Sequence, residues 1–243
     1  MSLWVVVPAG GAGARFGGKQ AKQYCLLAGR TVIEHTLERL LNLTCEMVVV
    51  AVRPSDLDWP RLEISRDPRV RTVAGGAERA ESVLSALQFL DQRADAKDWV
   101  LVHDVVRPCV RPADLLMLYQ TLAEDPVGGL LATPVVATLK RVVEGVGTDG
   151  VAGRVVESPS RDALWQAATP QMFRYGVLRG ALSEGLAAGR LITDEASALE
   201  QAGYQPRVVR GHPDNIKITF PEDLPLAAAI LEAQAGEGRE KAR

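Results

Sequence analysis

Residues 7–16 read Val7-Pro8-Ala9-Gly10-Gly11-Ala12-Gly13-Ala14-Arg15-Phe16, and Lys22-Gln23-Tyr24 follow shortly after. The apolar run Leu3–Val7 before the glycines predicts a buried strand, and an amphipathic helix pattern begins at Thr31. A strand that ends in a glycine-rich loop can present backbone N–H groups to an anion. Because Arg15 and Lys22 add full positive charges, this stretch predicts a site that binds a nucleoside triphosphate.

Composition and charge exclude several classes of protein. The chain has 243 residues and a formal net charge of −2, which argues against a broad nucleic-acid surface. No apolar stretch approaches the roughly 20 residues that span a bilayer. Cys25, Cys45 and Cys109 are widely spaced and form no CxxC pair, which favours a reducing compartment. We therefore expect a cytoplasmic globular protein that binds neither nucleic acid nor membranes.

Motifs for a metal centre or an enzymatic nucleophile are missing from the sequence. His35, His103 and His212 lie far apart, and the chain contains neither HExxH nor GxSxG. We expect each histidine to be structural. His103 alone needs closer attention, because Asp104 follows it.

Strand-like and helix-like segments alternate along the chain. Strands are predicted at Leu3–Val7, Met47–Val52, Val70–Ala74, Trp99–Val102, Gly129–Thr133 and Arg207–Val209. Helices are predicted at Thr31–Leu41, Ala80–Leu90, Ala113–Leu122, Val177–Ala188, Asp194–Ala202 and from about Pro221. This order predicts an α/β fold: a Rossmann-like, mostly parallel twisted sheet flanked by helices.

A β-hairpin interrupts this alternation at about residues 139–160. Two β-like runs, residues 140–144 and 151–157, flank the glycine-rich segment Gly145–Gly150. An isolated hairpin is marginal in water, so we expect this arm to pack against a second subunit. The alternative is a surface hairpin that folds back on its own domain. Residues 1–235 then form one domain with an arm, and residues 236–243 form a polar tail that we expect to fray.

Glycine or polar residues follow four of the predicted strands. They are the opening loop and residues 75–82, 103–108 and 133–138. Parallel strands end at one edge of the sheet, which is where ligands bind in open α/β folds. A dinucleotide site is a weaker interpretation, because Phe16 stands where the GxGxxG motif has its third glycine.

The separated motifs together resemble one family. The opening loop with Lys22-Gln23-Tyr24 looks like the signature of the 2-C-methyl-D-erythritol 4-phosphate cytidylyltransferase family. The other matching motifs are Gly75-Gly76…Arg79…Ser82-Val83, Val102-His103-Asp104…Arg107-Pro108, Thr193-Asp194-Glu195-Ala196 and Asp214-Asn215-Ile216-Lys217. The resemblance runs from about Trp4 to about Leu226, and it implies a fold of the nucleotidyltransferase type.

The family implies transfer of a cytidylyl group from CTP to methylerythritol phosphate with release of pyrophosphate, a step of isoprenoid precursor synthesis by the non-mevalonate pathway. By resemblance Arg15 and Lys22 stabilise the transition state, where charge grows on the phosphate oxygens. Arg161 and Lys217 match the residues that position the attacking phosphate. Since Arg161 lies just past the hairpin, part of the site is expected to cross a subunit boundary of a homodimer.

The resemblance also implies two binding surfaces and a metal. The nucleotide would meet Pro8, Ala9, Gly10, Gly11, Gly76, Ser82 and Asp104. The phosphorylated polyol would meet Arg107, Thr138, Thr169 and Thr193. A Mg²⁺ ion would be held mainly by the CTP phosphates, with Asp104 as a candidate protein contact. For Asp104 the competing interpretation, at even weight, is a helix N-cap.

Three departures from the family pattern and three alternative functions remain at this point. Gly10 replaces a common alanine, Ala77 a common aspartate, and Val105-Val106 a pair of alanines, which leaves affinity for CTP less secure than the reaction type. One alternative is a cytidylyltransferase for another polyol phosphate such as ribitol 5-phosphate. Others are a dinucleotide-dependent oxidoreductase and a non-catalytic nucleotide-binding module. The retained cations Arg15 and Lys22 argue against the non-catalytic module.

Overall fold

A computed structural model describes residues 1–11, 20–144 and 153–241 of the chain. Its strands are β1 (Leu3–Pro8), β2 (Leu26–Leu27), β3 (Arg30–Thr31), β4 (Met47–Val52), β5 (Val70–Ala74), β6 (Trp99–Val102), β7 (Gly128–Pro134), β8 (Arg141–Glu144), β9 (Gly153–Glu157), β10 (Trp165–Arg174) and β11 (Arg207–Arg210). Its α-helices are α1 (Val32–Leu41), α2 (Arg79–Leu90), α3 (Pro112–Leu122), α4 (Tyr175–Ala187), α5 (Glu195–Gln201) and α6 (Asp223–Lys241). Short 3-10 helices lie at Lys22–Tyr24, Trp59–Arg61 and Glu63–Arg66.

The main sheet has seven strands in the order β11-β7-β10-β6-β1-β4-β5. Strand β1 pairs in parallel with β4 and β6, and the β4–β5 and β7–β11 pairs are also parallel. Of the described strands of this sheet, only β10 runs antiparallel to its neighbours. The predicted mostly parallel sheet is therefore confirmed.

Apolar side chains cover both faces of the sheet. Along β1, Val5 and Val7 face one buried cluster, which includes side chains of α1, α3 and α6. Trp4 and Val6 face the other cluster, which includes side chains of α2, α4 and α5. A strand buried on both faces needs a continuous apolar run rather than an alternating one, and this is the pattern of Leu3–Val7.

Helix α1 begins where the sequence predicts. Thr31 and Glu34 form a capping box, in which each side chain accepts a hydrogen bond from the other residue's backbone N–H. This cap fixes the start of the helix that follows the glycine-rich loop. Among the described residues, none of the helices is long and apolar enough to cross a membrane.

Strand β10 is the element that the sequence analysis missed. It contains Pro170, and its pairing with β7 shifts register between Ala167 and Gln171. Proline and an irregular ladder remove the alternating pattern by which a strand is recognised. This strand nevertheless carries Thr169 to the edge where the predicted ligand loops meet.

The polar C-terminal segment differs from expectation. Helix α6 continues to Lys241 instead of fraying at residue 236. Arg111 forms an ion pair with Glu237 on this helix at 2.7 Å and another with Asp214 at 2.7 Å. These contacts tie the last turns of α6 to the segment that precedes α3.

The predicted hairpin is present as a separate two-stranded sheet. Strands β8 and β9 pair antiparallel, with Val142 opposite Val155 and Val143 opposite Arg154. Both faces of this ribbon carry exposed valines. The expected glycine-rich tip, residues 145–152, lies outside the described residues.

Candidate active site

A cavity of about 690 Å³ lies at the carboxyl edge of the parallel strands. Its wall includes residues from three of the four predicted loops, together with both lysines of the described site: Pro8, Gly10, Gly11, Lys22, Gly76, Ser82, Asp104 and Lys217. The convergence expected of a parallel sheet is therefore observed. The fourth loop contributes Thr133 to a second cavity of about 530 Å³, which Arg107 and Lys217 also line.

The start of the glycine-rich loop is fixed by its backbone. The Ala9 N–H donates to the Ala51 carbonyl at 2.7 Å, and the Gln23 amide donates to the Ala9 carbonyl at 3.1 Å. Both backbone groups of Ala9 therefore have partners within the protein. Because Ala9 is also fully buried, it supports the cavity wall from behind. Arg53 donates to the Gly10 carbonyl at 2.6 Å, while a Cβ on Gly11 would meet no atom within 4 Å.

Gly76 and Ser82 form one unit beside Gly10, since a Cβ on Gly10 would stand 3.5 Å from Ser82 Oγ. The Gly76 N–H donates to the Ser82 hydroxyl at 3.1 Å, and that hydroxyl donates to the Glu78 carbonyl at 3.1 Å. A Cβ on Gly76 would stand 2.3 Å from the Glu81 Cβ, so only glycine fits this close approach. Ser82 is buried and holds in place the loop that presents Gly76 to the cavity.

Lys22 reaches the site from a 3-10 helix that neighbouring side chains hold in place. Its Nζ donates to the Ile218 carbonyl at 3.0 Å, which joins two segments 196 residues apart. The Tyr24 hydroxyl next to it donates to Asp56 at 2.7 Å. Arg15, the other predicted transition-state stabiliser, lies outside the described residues.

Asp104 is the centre of a cluster of charges. Its Oδ1 accepts from Arg79 Nε at 2.8 Å, its Oδ2 lies 2.8 Å from Lys217 Nζ, and Arg107 Nε stands 3.8 Å away. Burial opposes ionisation, but Arg79 and Lys217 outweigh it and hold the pKa of Asp104 well below its usual range. Asp104 caps no helix, since the next helix begins only at Pro112. The N-cap interpretation is therefore wrong.

A second set of contacts connects Asp104 to Thr169, Asn215 and Arg107. The Asp104 N–H donates to the Thr169 hydroxyl at 3.0 Å, and the Asn215 amide donates to the Thr169 carbonyl at 2.8 Å. Arg107 donates to the Asn215 carbonyl at 2.7 Å. Among the described residues, Arg107 Nε and Asn215 Oδ1 are buried without a hydrogen-bond partner, and both residues line the second cavity.

Four predicted substrate residues line neither cavity of this single chain: Thr169 is buried and accepts from the Asp104 N–H, and the other three are exposed. Thr138 and Thr193 are exposed, and so is Arg161, which donates to the Val136 carbonyl. Arg161 follows the hairpin directly, and Thr138 precedes it. The geometry of one chain therefore brings together Lys22, Asp104, Arg107, Thr169 and Lys217, but not these three.

Sequence reasoning gave no role to several residues that shape the site. Arg79, Glu195 and Asn215 occur in the sequence analysis only as members of matching motifs, and Arg53 does not occur there. The signal that could have indicated a pair was the charge of Glu195, since a buried glutamate needs a cation as its partner. No spacing rule shows that Arg79 and Glu195, 116 residues apart, form that pair.

His103 packs behind Asp104 and stays uncharged. Its ring is fully buried, with Nδ1 at 3.2 Å from the Thr169 hydroxyl and Nε2 at 3.1 Å from the Arg107 carbonyl. Burial lowers the pKa of His103 to about 4, against a weaker opposing effect of that carbonyl and of Asp104. The expectation of a structural histidine agrees with this environment.

Acid is therefore expected to destabilise the fold through His103. Between pH 6.5 and about 4 the unfolded chain binds a proton that the folded chain does not. The free energy of unfolding then falls as the pH falls, by about 3 kcal/mol across this window. Urea denaturation at several pH values measures it. We expect His103→Gln to show a shallower slope, and equal slopes in both proteins would contradict the assignment.

The donor set suits a metal ion that arrives with its substrate. Among the described ranges, no three His, Cys, Asp or Glu side chains come close enough to form a metal-binding group. Mg²⁺ typically keeps waters and binds one or two carboxylates together with substrate phosphates. Asp104 lines the cavity, and carboxylate oxygens have more than one lone pair, so its ion pairs leave acceptor capacity for a hydrated ion.

Comparison with known proteins gives a consistent result. The family model of 2-C-methyl-D-erythritol 4-phosphate cytidylyltransferase (IspD) matches residues 3–233. A protein of that name from Hahella chejuensis is 48% identical over 230 residues, which cover 94% of this chain and 92% of the relative. Another from Ectopseudomonas mendocina is 51% identical over 224 residues, covering 91% of this chain and 92% of the relative.

Solved structures show the same fold. A crystal structure of 4-diphosphocytidyl-2C-methyl-D-erythritol synthase superposes with a TM-score of 0.79 at 33% identity, covering 95% of this chain and 98% of the other. The Francisella tularensis 2-C-methyl-D-erythritol 4-phosphate cytidylyltransferase superposes with a TM-score of 0.77 at 33% identity, covering 95% of this chain and all of the other.

Proposed function

This chain belongs to the 2-C-methyl-D-erythritol 4-phosphate cytidylyltransferase family, and from that membership we propose how its residues divide the reaction. It is a nucleotidyltransferase of isoprenoid biosynthesis that transfers a cytidylyl group from CTP to 2-C-methyl-D-erythritol 4-phosphate. The products are 4-diphosphocytidyl-2-C-methyl-D-erythritol and pyrophosphate. The oxidoreductase and non-catalytic alternatives are thereby set aside.

One observation carries the division of roles. Lys22 and Lys217 line the same cavity, and the Lys22 ammonium binds the carbonyl of the residue next to Lys217. Two cations from opposite ends of the chain thus meet where the glycine-rich loop opens. We assign Lys22, together with Arg15, to the triphosphate, and Lys217 to the incoming phosphate.

The chemical step follows from these positions. An oxygen of the polyol phosphate attacks the α-phosphorus of CTP, and the bond from that phosphorus to the bridging oxygen breaks. Pyrophosphate leaves with the bonding electron pair, so negative charge grows on the leaving oxygen and on the oxygens around the α-phosphorus. Fixed cations that bind this charge best in the transition state lower the barrier.

Nucleotide and polyol occupy the two cavities in this assignment. Gly10, Gly11 and Gly76, backed by Pro8, Ala9 and Ser82, form the wall for CTP. Arg107 lines the polyol cavity, where the unpartnered Asn215 Oδ1 is an acceptor for a hydroxyl group, and the buried Thr169 supports this side through its hydrogen bond from the Asp104 N–H. A Mg²⁺ ion would be held mainly by the CTP phosphates, with Asp104 as the candidate protein contact, and would supply further neutralisation of the phosphate charge.

Pyrophosphate release tests substrate choice directly. We expect release with CTP, Mg²⁺ and 2-C-methyl-D-erythritol 4-phosphate. Ribitol 5-phosphate has a longer chain and no branching methyl group, so it should react about tenfold to a hundredfold more slowly. Equal rates with the two polyols would contradict the proposed substrate pocket, and no release with either would contradict the assignment of the reaction.

A homodimer would bring into the site the three predicted residues that lie outside it in a single chain. The β8–β9 arm exposes Val142 and Val155, which face each other across its two strands. We propose that this arm packs on a second copy and that Arg161 and Thr138, at its base, complete the polyol pocket across the interface. Thr193 would join them on the polyol side.

Charged residues on the arm are expected to separate the two copies. The double variant Val142→Asp/Val155→Asp places two carboxylates on one face of the arm, and burying them is costly. Light scattering should then give the mass of one 26.2 kDa chain instead of two. Leu57→Asp, at a leucine outside the arm that is more exposed than either valine, serves as the control and should remain dimeric. An arm variant with unchanged mass would contradict the dimer interface.

We also propose that the protein is cytoplasmic. Cys25, Cys45 and Cys109 are all free thiols, and two of them are only partly buried. Free cysteines persist most readily in a reducing compartment. Fractionation of cells that express the protein would check the location.

A further inference from the structure

A chain of ion pairs runs from the protein interior to the cavity wall. Glu195, which is 0% exposed, binds Arg79 with both oxygens, at 2.7 and 3.1 Å. Arg79 Nε binds Asp104 Oδ1, and Asp104 Oδ2 binds Lys217 Nζ, each at 2.8 Å. Side-chain exposure is 0% at Glu195 and 40% at Lys217, the two ends of the series. We call these four residues the charge chain.

Glu195 is itself held in place by its neighbours. Asp194 caps helix α5 and accepts a hydrogen bond from Ser197. Gln171 on β10 accepts from the Ala196 N–H and donates to Asp194, both at 2.8 Å. The carboxylate at the inner end of the charge chain therefore stands on a fixed backbone.

Stability alone is a weak explanation for such a buried carboxylate. Taking a carboxylate and a guanidinium out of water costs free energy that their attraction often only offsets, and apolar residues of similar volume are frequently as good. What the pair does provide is orientation. The planar guanidinium of Arg79 has three of its nitrogens bound to two carboxylates, so its plane is fixed.

The location of Arg79 gives this orientation a consequence for the reaction. Arg79 lines the nucleotide cavity, and Lys217 lines both cavities. Without Glu195, Nη1 and Nη2 of Arg79 would lose their carboxylate, and the single bond from Nε to Asp104 would compete with the triphosphate for the guanidinium. Asp104 would then lose its fixed partner, and the position of Lys217 would be less well defined.

We propose that Glu195 is a positioning residue for cytidylyl transfer, because it keeps Arg79 on Asp104 and thereby keeps Lys217 at the wall between the two cavities. This inference rests on the assignment of Lys217 to the incoming phosphate. It gives Glu195 no contact with either substrate. Its effect on turnover passes entirely through Arg79, Asp104 and Lys217.

The variant Glu195→Gln tests the proposal by separating binding from turnover. It keeps the volume of the side chain but removes its charge. We expect kcat to fall about tenfold to a hundredfold, as for a small misplacement of a reacting group. The Kd for CTP should stay the same or decrease, since a released Arg79 can pair with the triphosphate. A purely structural role would not improve CTP binding while it reduces kcat.

A double-mutant cycle with Lys217→Ala distinguishes the possible failures. If Glu195 acts through Lys217, Glu195→Gln should change kcat less than threefold when Lys217 is already absent. The same loss in both backgrounds would overturn the positioning role of Glu195 and leave the proposed function intact. Normal kcat in Lys217→Ala would instead overturn the assignment of Lys217, and the charge chain proposal with it.

Two further variants keep the test independent of folding. Asp98→Asn is a matched control, because Asp98 is also buried but accepts hydrogen bonds from Ser2, Trp4 and Asp95. It should lower stability without lowering kcat, and an equal loss of kcat would contradict the proposal. If Glu195→Gln does not fold, Arg79→Lys keeps the charge but cannot bridge two carboxylates. It should show the same fall in kcat, and normal kcat in Arg79→Lys would overturn the proposal.

Discussion

Lys22→Ala is expected to lower kcat by about two to three orders of magnitude, the usual cost of removing one fixed donor to transition-state charge. The Kd for CTP should rise much less, because the ground-state triphosphate is also held by backbone groups and by Mg²⁺. The reason lies in the position of the lysine. Its ammonium is held at the Ile218 carbonyl, at the wall that Lys217 also lines. Steady-state kinetics and equilibrium CTP binding measure the two quantities separately.

The control for this variant is an exposed lysine far from the cavity. Lys97 is exposed and precedes the N-terminal end of β6, whereas the cavity lies at the carboxyl end. Lys97→Ala should leave kcat and the Kd for CTP unchanged. If Lys22→Ala weakens CTP binding as much as it lowers kcat/KM, Lys22 provides uniform binding rather than stabilisation of the transition state.

Asp104→Asn is expected to have the largest effect on the free energy of unfolding. It removes the negative charge that Arg79, Arg107 and Lys217 share. Breaking a buried ion pair by removing one partner costs about 3–5 kcal/mol, and the partial exposure of Lys217 favours the lower value. We therefore expect the free energy of unfolding to fall by about 3 kcal/mol at neutral pH. Urea denaturation measures this change.

The pH dependence gives the same experiment a second readout. The pKa of Asp104 is depressed in the folded chain, so its stabilisation is complete above the pKa of the unfolded chain, about 4. It is lost as the pH falls towards the folded value. The difference between the original chain and Asp104→Asn should therefore shrink below pH 4. Glu38→Gln, which breaks the exposed pair with Arg30, is the control and should stay within about 0.5 kcal/mol. A similarly small effect of Asp104→Asn would contradict the charge cluster.

The parts of the fold that the sequence predicts are those determined by local pattern. The run Leu3–Val7 is apolar at every position because helices cover both faces of β1. The start of α1 follows from the Thr31–Glu34 capping box, which four consecutive residues specify. Strand β10 lacks any such local pattern. Its place between β6 and β7 depends on pairing with distant strands, and its proline conceals it.

The site shows the same division. Loops that follow strands of a parallel sheet must meet at one edge, which is why Gly76, Asp104 and the glycine-rich loop were predicted to converge. The partners of Asp104 follow no such rule. Arg79 begins α2 and Lys217 lies in an irregular segment before α6, and only the folded chain shows that both bind one carboxylate. Thr138 and Arg161 beside the arm, and Thr193 before α5, depend in our proposal on a second copy, which no single chain contains.

The hydrogen bond from Lys22 to the Ile218 carbonyl has a consequence for synthesis on the ribosome. The two partners are 196 residues apart, so most of the chain must be made before this contact can form. A nascent chain can build β1, β4 and β5 early, but it cannot hold the lysine in its working position. Cytidylyl transfer should consequently be absent from every chain that ends before Ile218, and it should begin only when the segment that carries Ile218 has emerged and docked.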